Sequence, residues 1–516
     1  ARDRAAVAER AGGTEAEIFD AHLALLDDAA LTEPARAAIA GGATAERGWF
    51  DAVQAVAARY RALPEPVLQE RATDVLDVGQ RVNAALAGAD GDAASAAGGI
   101  VIADELTPAQ AAGLDPANVV AIATARGSAT AHAAILARAL GLPAVVGLGS
   151  AVLGIADATE LLLDGEAGTV TVDPPAQELA RARERGERER QRRAAARHRA
   201  AEPAQMRDGA RIEVFANLGA VAEAAGAVEL GAEGVGLLRT EFLFLGRDSL
   251  PDEEEQTDTL RQIAVALDGR PLVVRTLDAG ADKPLPALPM PPEQNPFLGV
   301  RGIRLGLRRR DVLATQLRAI LRVAAEHPVK VMLPMVATLE EITAARAVLA
   351  QARTQTGISV PLELGIMVEV PAAALAARRL AAHVDFFSLG TNDLTQYTMA
   401  AERGDARLAP LLAGPQPAVL ALVQATVAGA AERGRWVGVC GELAGDPAAA
   451  ILLAGLGVTE LSMAPGLIPE AKAALREISL DQARAAALAA LETDDATAAR
   501  DLALALLSGG AHADRE

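Results

Sequence analysis

LELGIMVEVPAAALAARRLAAHVDFFSLGTND, residues 362–393, is the stretch of the sequence that decides the fold class. Two short apolar runs, at residues 362–370 and 384–390, enclose a segment rich in Ala, Leu and Arg that has helical character. Short apolar strands that alternate with helical segments are typical of βαβ units in a parallel sheet. The stretch therefore predicts one strand–helix–strand unit.

The same alternation continues on both sides of this unit and gives eight strand candidates from Arg211 onward. The other six are RIEVFANL (211–218), GVGLLRTE (234–241), PLVVRTLD (271–278), VKVMLPMV (329–336), WVGVCGE (436–442) and TELSMAP (459–465). Each is followed by a longer segment of helical character. Eight βα units in about 300 residues is the count and size of a (β/α)8 TIM barrel, whereas an open doubly wound sheet, the alternative, rarely contains eight. We therefore predict a TIM barrel over residues 208–516.

Three segments with different patterns precede the predicted barrel, so the fold class is multidomain α/β. Residues 1–85 have helical periodicity and predict a helical subdomain, and the carboxylates between residues 14 and 36 form either a solvated face or a docking face for a basic partner. Short β runs and one helix predict a compact α/β domain over residues 86–173. The interleaved Arg and Glu residues of 174–207 predict a solvent-exposed helical linker.

Composition and charge argue against several classes of function. The formal net charge of −19 repels the phosphates of DNA and RNA, and the one basic run, residues 181–200, is interleaved with Glu and lacks aromatic residues. We therefore expect no nucleic-acid partner. The single cysteine, Cys440, excludes an intrachain disulfide framework. No apolar run of about 18–20 residues and no signal-peptide core were identified, which favours a cytoplasmic protein outside the membrane.

Two carboxylates stand at the predicted carboxyl ends of neighbouring strands, where the active sites of TIM barrels lie. Glu369 ends the fifth strand candidate, and Asp393 follows the sixth. Two carboxylates in one barrel mouth repel each other unless a cation lies between them. Carboxylates together with water and substrate oxygens are the ligands that Mg²⁺ prefers. The sequence therefore predicts a Mg²⁺ site at Glu369 and Asp393.

Four arginines are predicted to converge on the same mouth. They are Arg239, Arg275, Arg301 and Arg403. Guanidinium groups bind carboxylates and phosphates through two parallel hydrogen bonds. Taken singly, an arginine or glutamate at a strand end is more often part of a structural ion pair, and Cys440 reads as a small buried hydrophobic residue. Taken together, they predict a ligand that is small, polyanionic and bound to a metal.

His132 lies in GSATAHAAILARALGLPAVVG, residues 127–147, in the first turn of a helix predicted to begin near Ala131. The positive end of the helix dipole lowers the pKa of such a histidine and keeps its imidazole neutral. A neutral imidazole can attack phosphorus, and backbone N–H groups at the helix N-terminus can hold the transferred phosphoryl group. From the residues alone, a structural histidine is the alternative.

Seven stretches resemble the signatures of the phosphoenolpyruvate-utilising enzymes. They are GSATAHAAILARALGLPAVVG, GVGLLRTEFLF, RTLDAGADKPLP, NPFLGVRGIR, GIMVEVPAAAL, DFFSLGTNDLTQYTMAAERGD and VCGELAGDP. Among these, RTEFLF and TNDLTQYTMA look most like the Enzyme I family of the sugar phosphotransferase system. EIFDAHLALLDD and ERATDVLDVGQRV resemble the helical subdomain with which that family docks the carrier protein HPr. The resemblance covers residues 14–480.

The resemblance implies a function and a set of site residues. Phosphoenolpyruvate passes its phosphoryl group to His132 with release of pyruvate, and a swivelling phosphohistidine domain then delivers the group to a histidine of HPr. Glu369 and Asp393 are implied as Mg²⁺ ligands, and Cys440 is implied as the acid that protonates C3 of the enolpyruvate. Contacts to phosphoenolpyruvate are implied for Arg239, Arg275, Arg301, Asn392 and Arg403. A homodimer formed through the barrel is also implied.

The sequence departs from the family pattern in three places, one of which is the usual Gly-Gly-Asp-Lys, which reads GADK at residues 280–283. Family members usually read Gly-Gly-Arg-Thr-Ser-His where residues 127–132 read GSATAH, a change that can alter the stabilisation of phosphohistidine. The sequence also begins inside what resembles the first helix, so we expect a few dozen preceding residues, including a strand, to be missing. The alternatives are a pyruvate phosphate dikinase or phosphoenolpyruvate synthase, a module of a multiphosphoryl transfer fusion, a nitrogen-related paralogue, and a non-catalytic ligand-sensing scaffold.

Overall fold

The computed structural model divides the chain into two units, Ala1–Arg188 and Glu189–Glu516. The boundary between them falls inside the segment 174–207 that the sequence predicts as a linker. The predicted nucleophile His132 lies outside the described residues. The residues that the structure describes are 26, 28–61, 75–76, 78–79, 82–83, 85–86, 98–106, 110–111, 114–115, 118–127, 137, 141–165, 167–245, 247–280, 285–403 and 405–513.

Two helices at the start of the N-terminal unit confirm part of the predicted helical character. Helix α1 (Ala29–Ala40) begins at Asp28, whose side chain accepts a hydrogen bond of 2.8 Å from the backbone N–H of Ala30. Such a side chain satisfies one of the N–H groups that a helix start leaves without a partner. Helix α2 (Ala45–Arg61) contacts α1 and buries Trp49 against it. The predicted helix EIFDAHLALLDD lies mostly outside the described residues.

The rest of the N-terminal unit contains the short strands that the sequence predicts. A parallel sheet contains β1 (Gly99–Ala103), β2 (Val119–Thr124) and β3 (Ala144–Val145) in that order. Strands β4 (Leu161–Asp164) and β5 (Thr169–Val172) form an antiparallel pair. The helix predicted at HAAILARAL lies largely outside the described residues.

Helix α3 (Ala176–His198) confirms the helical character predicted for residues 174–207, whereas the role of this segment as a linker stays a prediction. Its side chains form exposed ion pairs one turn apart, between Arg188 and Glu184 at 3.1 Å and between Arg193 and Glu189 at 3.2 Å. Exposed pairs of this kind each contribute little to stability, about 0.3–0.5 kcal/mol. The charge pattern therefore keeps the helix in solvent rather than in a core.

Eight parallel strands form a closed barrel in the C-terminal unit, as the sequence predicts. They follow a short strand β6 (Ala204–Gln205), which pairs antiparallel with the first of them and which the sequence analysis missed. The ring closes because the last strand pairs with the first, through Glu460 and Glu213 among others. The eight strands are β7 (Arg211–Leu218), β8 (Val235–Arg239), β9 (Leu272–Arg275), β10 (Val329–Leu333), β11 (Leu364–Val368), β12 (Phe386–Leu389), β13 (Trp436–Val439) and β14 (Glu460–Met463).

Helices cover the outside of the barrel. The helix that follows β9 comes only after a long segment, since among the described residues of 276–302 there is only a short 3₁₀ turn, Pro296–Leu298. The helices of this unit are α4 (Glu223–Glu229), α5 (Glu253–Ala266), α6 (Ile303–Arg308), α7 (Arg310–Ala324), α8 (Leu339–Thr356), α9 (Pro371–Leu380), α10 (Thr391–Met399), α11 (Ala409–Leu412), α12 (Pro417–Ala431), α13 (Pro447–Gly455), α14 (Ile468–Arg476), α15 (Leu480–Ala490) and α16 (Ala496–Ala513).

The strands are apolar along most of their length because both faces are buried, one against the helices and one in the barrel interior. The interior is packed by large side chains. Phe386 stacks on Trp436 with ring centroids 4.4 Å apart. Gly365 on the neighbouring strand makes room for them, since a Cβ at this position would overlap the Phe386 ring. The polar side chains at the carboxyl ends of the strands are therefore candidates for a functional role.

One described stretch, Ala409–Ala431, has the length and composition of a membrane span, although no apolar run of this length was expected from the sequence. The structure divides this stretch into α11 and α12. Helix α12 has 15 residues, which at about 1.5 Å per residue is shorter than the roughly 30 Å of a bilayer core. Its side chains Val419, Leu420 and Val423 are buried in the core around the barrel. The apolar character of the stretch is therefore explained by packing in the barrel.

Lys472 on α14 joins three segments beneath the barrel. Its ammonium group is fully buried and donates to the carbonyl oxygens of Ala200 at 3.1 Å and Gly231 at 2.7 Å. It also forms an ion pair of 3.1 Å with Glu233. A buried charge is tolerated only when its partners satisfy it in this way. Lys472 therefore connects the end of the linker region to the barrel wall.

Replacing Lys472 by methionine is expected to lower the free energy of unfolding by at least about 2 kcal/mol. Two buried carbonyl oxygens lose their donor, at about 1–3 kcal/mol each. The matched control is Arg378→Met, because Arg378 pairs with Glu432 at 2.8 Å on the exposed surface. That change is expected to cost less than about 1 kcal/mol. Urea unfolding of the two variants measures both costs, and equal losses of stability contradict the structural role of Lys472.

Candidate active site

A cavity of about 290 Å³ opens at the carboxyl ends of the barrel strands. Eight of the nine predicted site residues line it, and His132, the ninth, lies outside the described residues. The eight are Arg239, Arg275, Arg301, Glu369, Asn392, Asp393, Arg403 and Cys440. The prediction that these residues meet at one mouth is therefore confirmed, whereas their chemical roles stay predictions.

Arg239 ends β8, where the strand leaves the apolar core, and its side chain is exposed. Among the described residues it has no hydrogen-bond or ion-pair partner. Arg403 also reaches the cavity from the segment after α10. Its side chain is 43% exposed and has one contact, of 3.4 Å, with Asp393. These two guanidinium groups are available to an anionic ligand.

Arg275, by contrast, is buried and held by protein carboxylates. Its guanidinium group forms an ion pair with Glu241 and a second, of 3.4 Å, with Asp278. It also lies 3.8 Å from the sulfur of Met367. Burial by itself lowers the pKa of Arg275, but Glu241 and Asp278 raise it above the ordinary value. Arg275 is therefore a fixed positive charge beside the cavity.

Arg301 reaches the cavity from the segment before α6. Its guanidinium group binds Asp278 through two contacts, of 2.8 Å and 3.3 Å, and lies 3.5 Å from Asp393. Burial lowers the pKa of Arg301, whereas the charge of Asp278 raises it above the ordinary value. Gly280 passes close by with φ +114°, and a Cβ there would lie 2.7 Å from the Cβ of Arg301. Glycine is required at that position because no other residue adopts this backbone without strain or fits the space.

Glu369 is buried at the end of β11 and lies beside other negative charges. Burial, and after it the charges of Asp278 and Asp393, raise the pKa of Glu369 to about 8. The guanidinium groups of Arg275 and Arg301 act in the opposite direction. No described residue places a cation within ion-pair distance of Glu369. The surroundings of Glu369 therefore disfavour its ionised form unless a cation is added beside it.

The backbone of Met335 supports this carboxylate. The N–H of Met335 donates to Glu369 at 2.5 Å, and Met335 has the left-handed φ of +57°. This backbone region is uncommon for a residue other than glycine. The unusual conformation directs the N–H toward the carboxylate and fixes one of its oxygens, leaving the other for a ligand.

Glu369 and Asp393 suit a divalent cation that prefers oxygen ligands. Among the described residues, no group of three or more His, Cys, Asp and Glu side chains is arranged around a common metal position. A cation held by these two carboxylates would need water or substrate oxygens to complete its coordination, as hard cations commonly do. The pKa of Glu369 is raised when no metal is present, because burial and neighbouring carboxylates disfavour its charge. A bound cation would favour the ionised carboxylate and so relieve this unfavourable arrangement.

Asn392 lies in the first turn of α10, and its side chain pairs with Glu442. The amide nitrogen donates to the Glu442 carboxylate at 3.0 Å. The amide oxygen accepts a hydrogen bond of 2.8 Å from the backbone N–H of Glu442. Two segments 50 positions apart in sequence therefore meet at the rim of the cavity.

Cys440 follows β13 and is buried, with its sulfur 3.7 Å from the carbonyl oxygen of Leu389. Burial is the main cause that raises the pKa of the Cys440 thiol to about 12. The thiol is therefore protonated at physiological pH. A neutral thiol facing a ligand cavity suits a proton donor rather than a nucleophile, because the thiolate is the nucleophilic form.

Five residues that support this site were not predicted to have a role in it. They are Glu241, Asp278, Met335, Glu442 and Tyr397, whose hydroxyl group lies 3.5 Å from the guanidinium group of Arg301. Asp278 is the most central, since it pairs with both Arg275 and Arg301. Asp278 ends the third strand candidate three residues after Arg275, and this spacing could have predicted the ion pair between them. Contacts such as that of Met335 depend on an unusual backbone conformation, which no pattern in the sequence indicates.

Comparison with family models accounts for most of the chain. Residues 193–480 match the phosphoenolpyruvate-binding domain of the phosphoenolpyruvate-utilising enzymes. Residues 95–168 match their mobile domain, and residues 1–71 match their N-terminal domain. The barrel described above lies within the first of these three matches.

Three relatives are similar in sequence to this chain over nearly its whole length. A phosphoenolpyruvate-protein phosphotransferase of Haloferax volcanii is 45% identical over 95% of this chain and 87% of its own length. One of Bacillus subtilis is 38% identical over 92% of this chain and 84% of its own length. A multiphosphoryl transfer protein of Rhodobacter capsulatus is 45% identical over 95% of this chain, which spans only 60% of that protein.

The match to the phosphoenolpyruvate-binding domain covers more than half of this chain. The two phosphoenolpyruvate-protein phosphotransferases are more than 30% identical to this chain, which spans more than two thirds of the length of each. The chain therefore belongs to the phosphoenolpyruvate-utilising enzymes and, within them, to the Enzyme I family of phosphoenolpyruvate-protein phosphotransferases.

Proposed function

We propose that this chain transfers the phosphoryl group of phosphoenolpyruvate to its own His132, releases pyruvate, and passes the phosphoryl group on to a histidine of an HPr-like carrier protein. The observation that carries the proposal is the cavity at the barrel mouth. It combines four arginines, two carboxylates and a buried neutral thiol. This is the set of groups that a small substrate with a phosphate, a carboxylate and an enol carbon requires.

The arginines divide into two pairs that differ in how they are held. Arg275 and Arg301 are buried and fixed by carboxylates, so they present oriented donors before the substrate arrives. Preorganised donors stabilise developing charge without reorganisation during the reaction. Arg239 and Arg403 are exposed at the rim, where they suit the capture of the phosphate or carboxylate group. Asn392 adds an amide donor to the same rim.

Glu369 and Asp393 hold Mg²⁺ in this proposal. When bound, Mg²⁺ supplies charge neutralisation to the phosphate oxygens and orients them for transfer. Glu369 must be ionised for this role, and its raised pKa makes that step depend on pH. Asp393 lies within ion-pair distance of Arg301 and Arg403, so these two guanidinium groups share it with the metal.

Cys440 completes the reaction by proton transfer. The bond between the enol oxygen and phosphorus breaks while a bond forms between a ring nitrogen of His132 and phosphorus, which leaves the enolate of pyruvate in the cavity. The S–H bond of Cys440 then breaks while a C–H bond forms at C3, and pyruvate results together with a thiolate. Burial raises the pKa of Cys440, and the charge of Arg275 acts in the opposite direction, so Arg275 partly stabilises this thiolate.

The remaining parts of the proposal follow from the family. The division into a helical subdomain (1–85), a phosphohistidine domain (86–173), a linker (174–207) and a barrel (208–516) agrees in order with the three matched domains. We propose a cytoplasmic location and a homodimer formed through the barrel. The HPr-like partner is supported by the names of the phosphotransferase relatives.

A second candidate function has a specific observation in its favour. The multiphosphoryl transfer proteins of Rhodobacter capsulatus and Xanthomonas campestris match this chain at 45% identity, and the chain spans 60% and 59% of their lengths. The chain is then the corresponding module of a fusion protein. Immunoblotting of the native protein discriminates the two, since a fusion runs as a polypeptide much larger than 52.9 kDa.

Incubation with phosphoenolpyruvate labelled in its phosphate group tests the proposed function. With Mg²⁺ present, the chain is expected to acquire label that is lost in acid, because phosphohistidine is acid-labile. Chelation of the metal beforehand is expected to prevent labelling. A folded chain that remains unlabelled with Mg²⁺ and phosphoenolpyruvate contradicts the proposal.

Binding of Mg²⁺ is expected to release a proton from Glu369. The pKa of this carboxyl is about 8, so at pH 7 it is mostly protonated without metal and must ionise to coordinate the cation. Below that pKa, affinity for Mg²⁺ should therefore fall about tenfold for each unit of pH. Calorimetric titration in two buffers of different ionisation enthalpy measures the released proton. Identical heats in both buffers at pH 7 contradict the assignment.

A further inference from the structure

Glu442 stands out because it is a carboxylate at the rim of a cavity suited to a polyanion. It lines the cavity together with Asn392, yet no described residue forms an ion pair with it. The other carboxylates there are different, since Asp278 and Asp393 pair with arginines and Glu369 suits a cation. A negative charge in this position repels an anionic substrate. Its presence therefore suggests a role whose benefit exceeds this repulsion.

The side chain of Asn392 forms two hydrogen bonds with Glu442, and these indicate a role for the carboxylate. A side-chain amide has two N–H donors and one carbonyl oxygen, and it can be placed in two orientations related by a flip. The Glu442 carboxylate only accepts, and it receives one N–H of Asn392 at 3.0 Å. The Glu442 backbone N–H only donates, and it reaches the Asn392 oxygen at 2.8 Å.

Both contacts favour the same orientation of the amide. The flipped amide would place its oxygen against the carboxylate and its NH₂ group against the backbone N–H, so both hydrogen bonds would become repulsive. In the observed orientation one N–H of Asn392 is used by Glu442. No described residue accepts the second N–H, which is therefore available to a ligand in the cavity that both residues line.

We propose that Glu442 is a positioning residue that fixes the amide of Asn392 so that its free N–H, and not its oxygen, faces the phosphoenolpyruvate. The inference rests on the proposed function and adds a residue to it. The favourable effect of the oriented donor then exceeds the repulsion between the Glu442 carboxylate and the substrate.

Removal of the Glu442 side chain tests this role. Glu442→Ala leaves the backbone N–H but frees the amide nitrogen, and kcat/KM for phosphoenolpyruvate is expected to fall about 10-fold, the lower end for losing a supporting contact. Glu442→Gln is expected to recover most of the loss, because its side-chain oxygen can still accept from Asn392. If Glu442 acted only through its negative charge, the result would be the opposite. Both Glu442→Ala and Glu442→Gln would then remove a repulsion and lower KM for phosphoenolpyruvate.

A double-mutant cycle with Asn392→Ala separates positioning from a general structural effect. In the Asn392→Ala background, Glu442→Ala is expected to cause no further loss beyond about twofold, because the two side chains act as one unit. The matched control is Glu402→Gln, which removes one exposed carboxylate next to Arg403 and should leave kcat/KM unchanged.

The outcomes distinguish the inference from the proposed function. A parental chain without self-phosphorylation overturns the proposed function itself. A parental chain that is active, together with a Glu442→Ala variant of equal kcat/KM, overturns the positioning role alone. Losses that add independently in the double variant overturn it as well.

Discussion

Replacing Cys440 by serine is expected to slow the formation of pyruvate by about 10²–10⁴-fold, the usual loss when a positioned general acid is removed. The thiol of Cys440 is buried at the cavity and its pKa is raised to about 12, so it carries a proton to donate. A serine hydroxyl is a much weaker acid. Binding of Mg²⁺ and phosphoenolpyruvate should persist, because the arginines and carboxylates are untouched. Stopped-flow measurement of ketonised pyruvate gives the rate.

The reverse reaction provides the control for this prediction. It must remove a proton from C3 of pyruvate, so its rate should fall at least as much as the forward rate in Cys440→Ser. A mere packing role for Cys440 predicts instead a loss of stability with unchanged turnover. If Cys440→Ser consumes phosphoenolpyruvate at the parental rate, the assignment of Cys440 as the proton donor is wrong.

Replacing Glu369 by glutamine is expected to lower kcat/KM by about 10²–10⁴-fold. The change preserves the shape and can still accept the N–H of Met335, but it removes the negative charge that we assign to Mg²⁺. Metal ions supply several kcal/mol of transition-state stabilisation, and each 1.4 kcal/mol corresponds to about tenfold in rate. The steady-state rate as a function of Mg²⁺ concentration measures the loss.

The same strand offers a matched control at its other end. Glu363 precedes β11 and pairs with Lys330 at 2.9 Å, on the side of the barrel opposite the cavity. Glu363→Gln removes one carboxylate from the same element and should leave turnover and the requirement for Mg²⁺ unchanged. Equal effects of the two changes point to the net charge of the barrel rather than to a metal ligand at Glu369.

The eight barrel strands could be predicted because burial on both faces makes each strand a short apolar run. The stretch 362–393 shows this most clearly, since its two runs contain β11 and β12 and its Ala-rich middle contains α9. The long segment between β9 and α6 was not predicted. No periodic pattern describes such a segment, because its conformation depends on contacts such as those of Arg301 with Asp278.

The site could be predicted to the extent that its residues end strands. Arg239, Arg275 and Cys440 reach one mouth because parallel strands of a barrel all point their carboxyl ends to the same side. The supporting contacts could not be predicted. The pairing of Asn392 with Glu442 joins separate loops, and it becomes evident only when β12 and β13 are placed side by side.

The most direct test of the central claim is the identification of the phosphorylated residue. The chain is treated with phosphoenolpyruvate and Mg²⁺, digested at neutral or alkaline pH to preserve phosphohistidine, and analysed by mass spectrometry. The account predicts one phosphate on the peptide that contains His132, and none after His132→Ala although phosphoenolpyruvate still binds the barrel. Phosphate on a different residue, or undiminished phosphorylation of the His132→Ala variant, contradicts it.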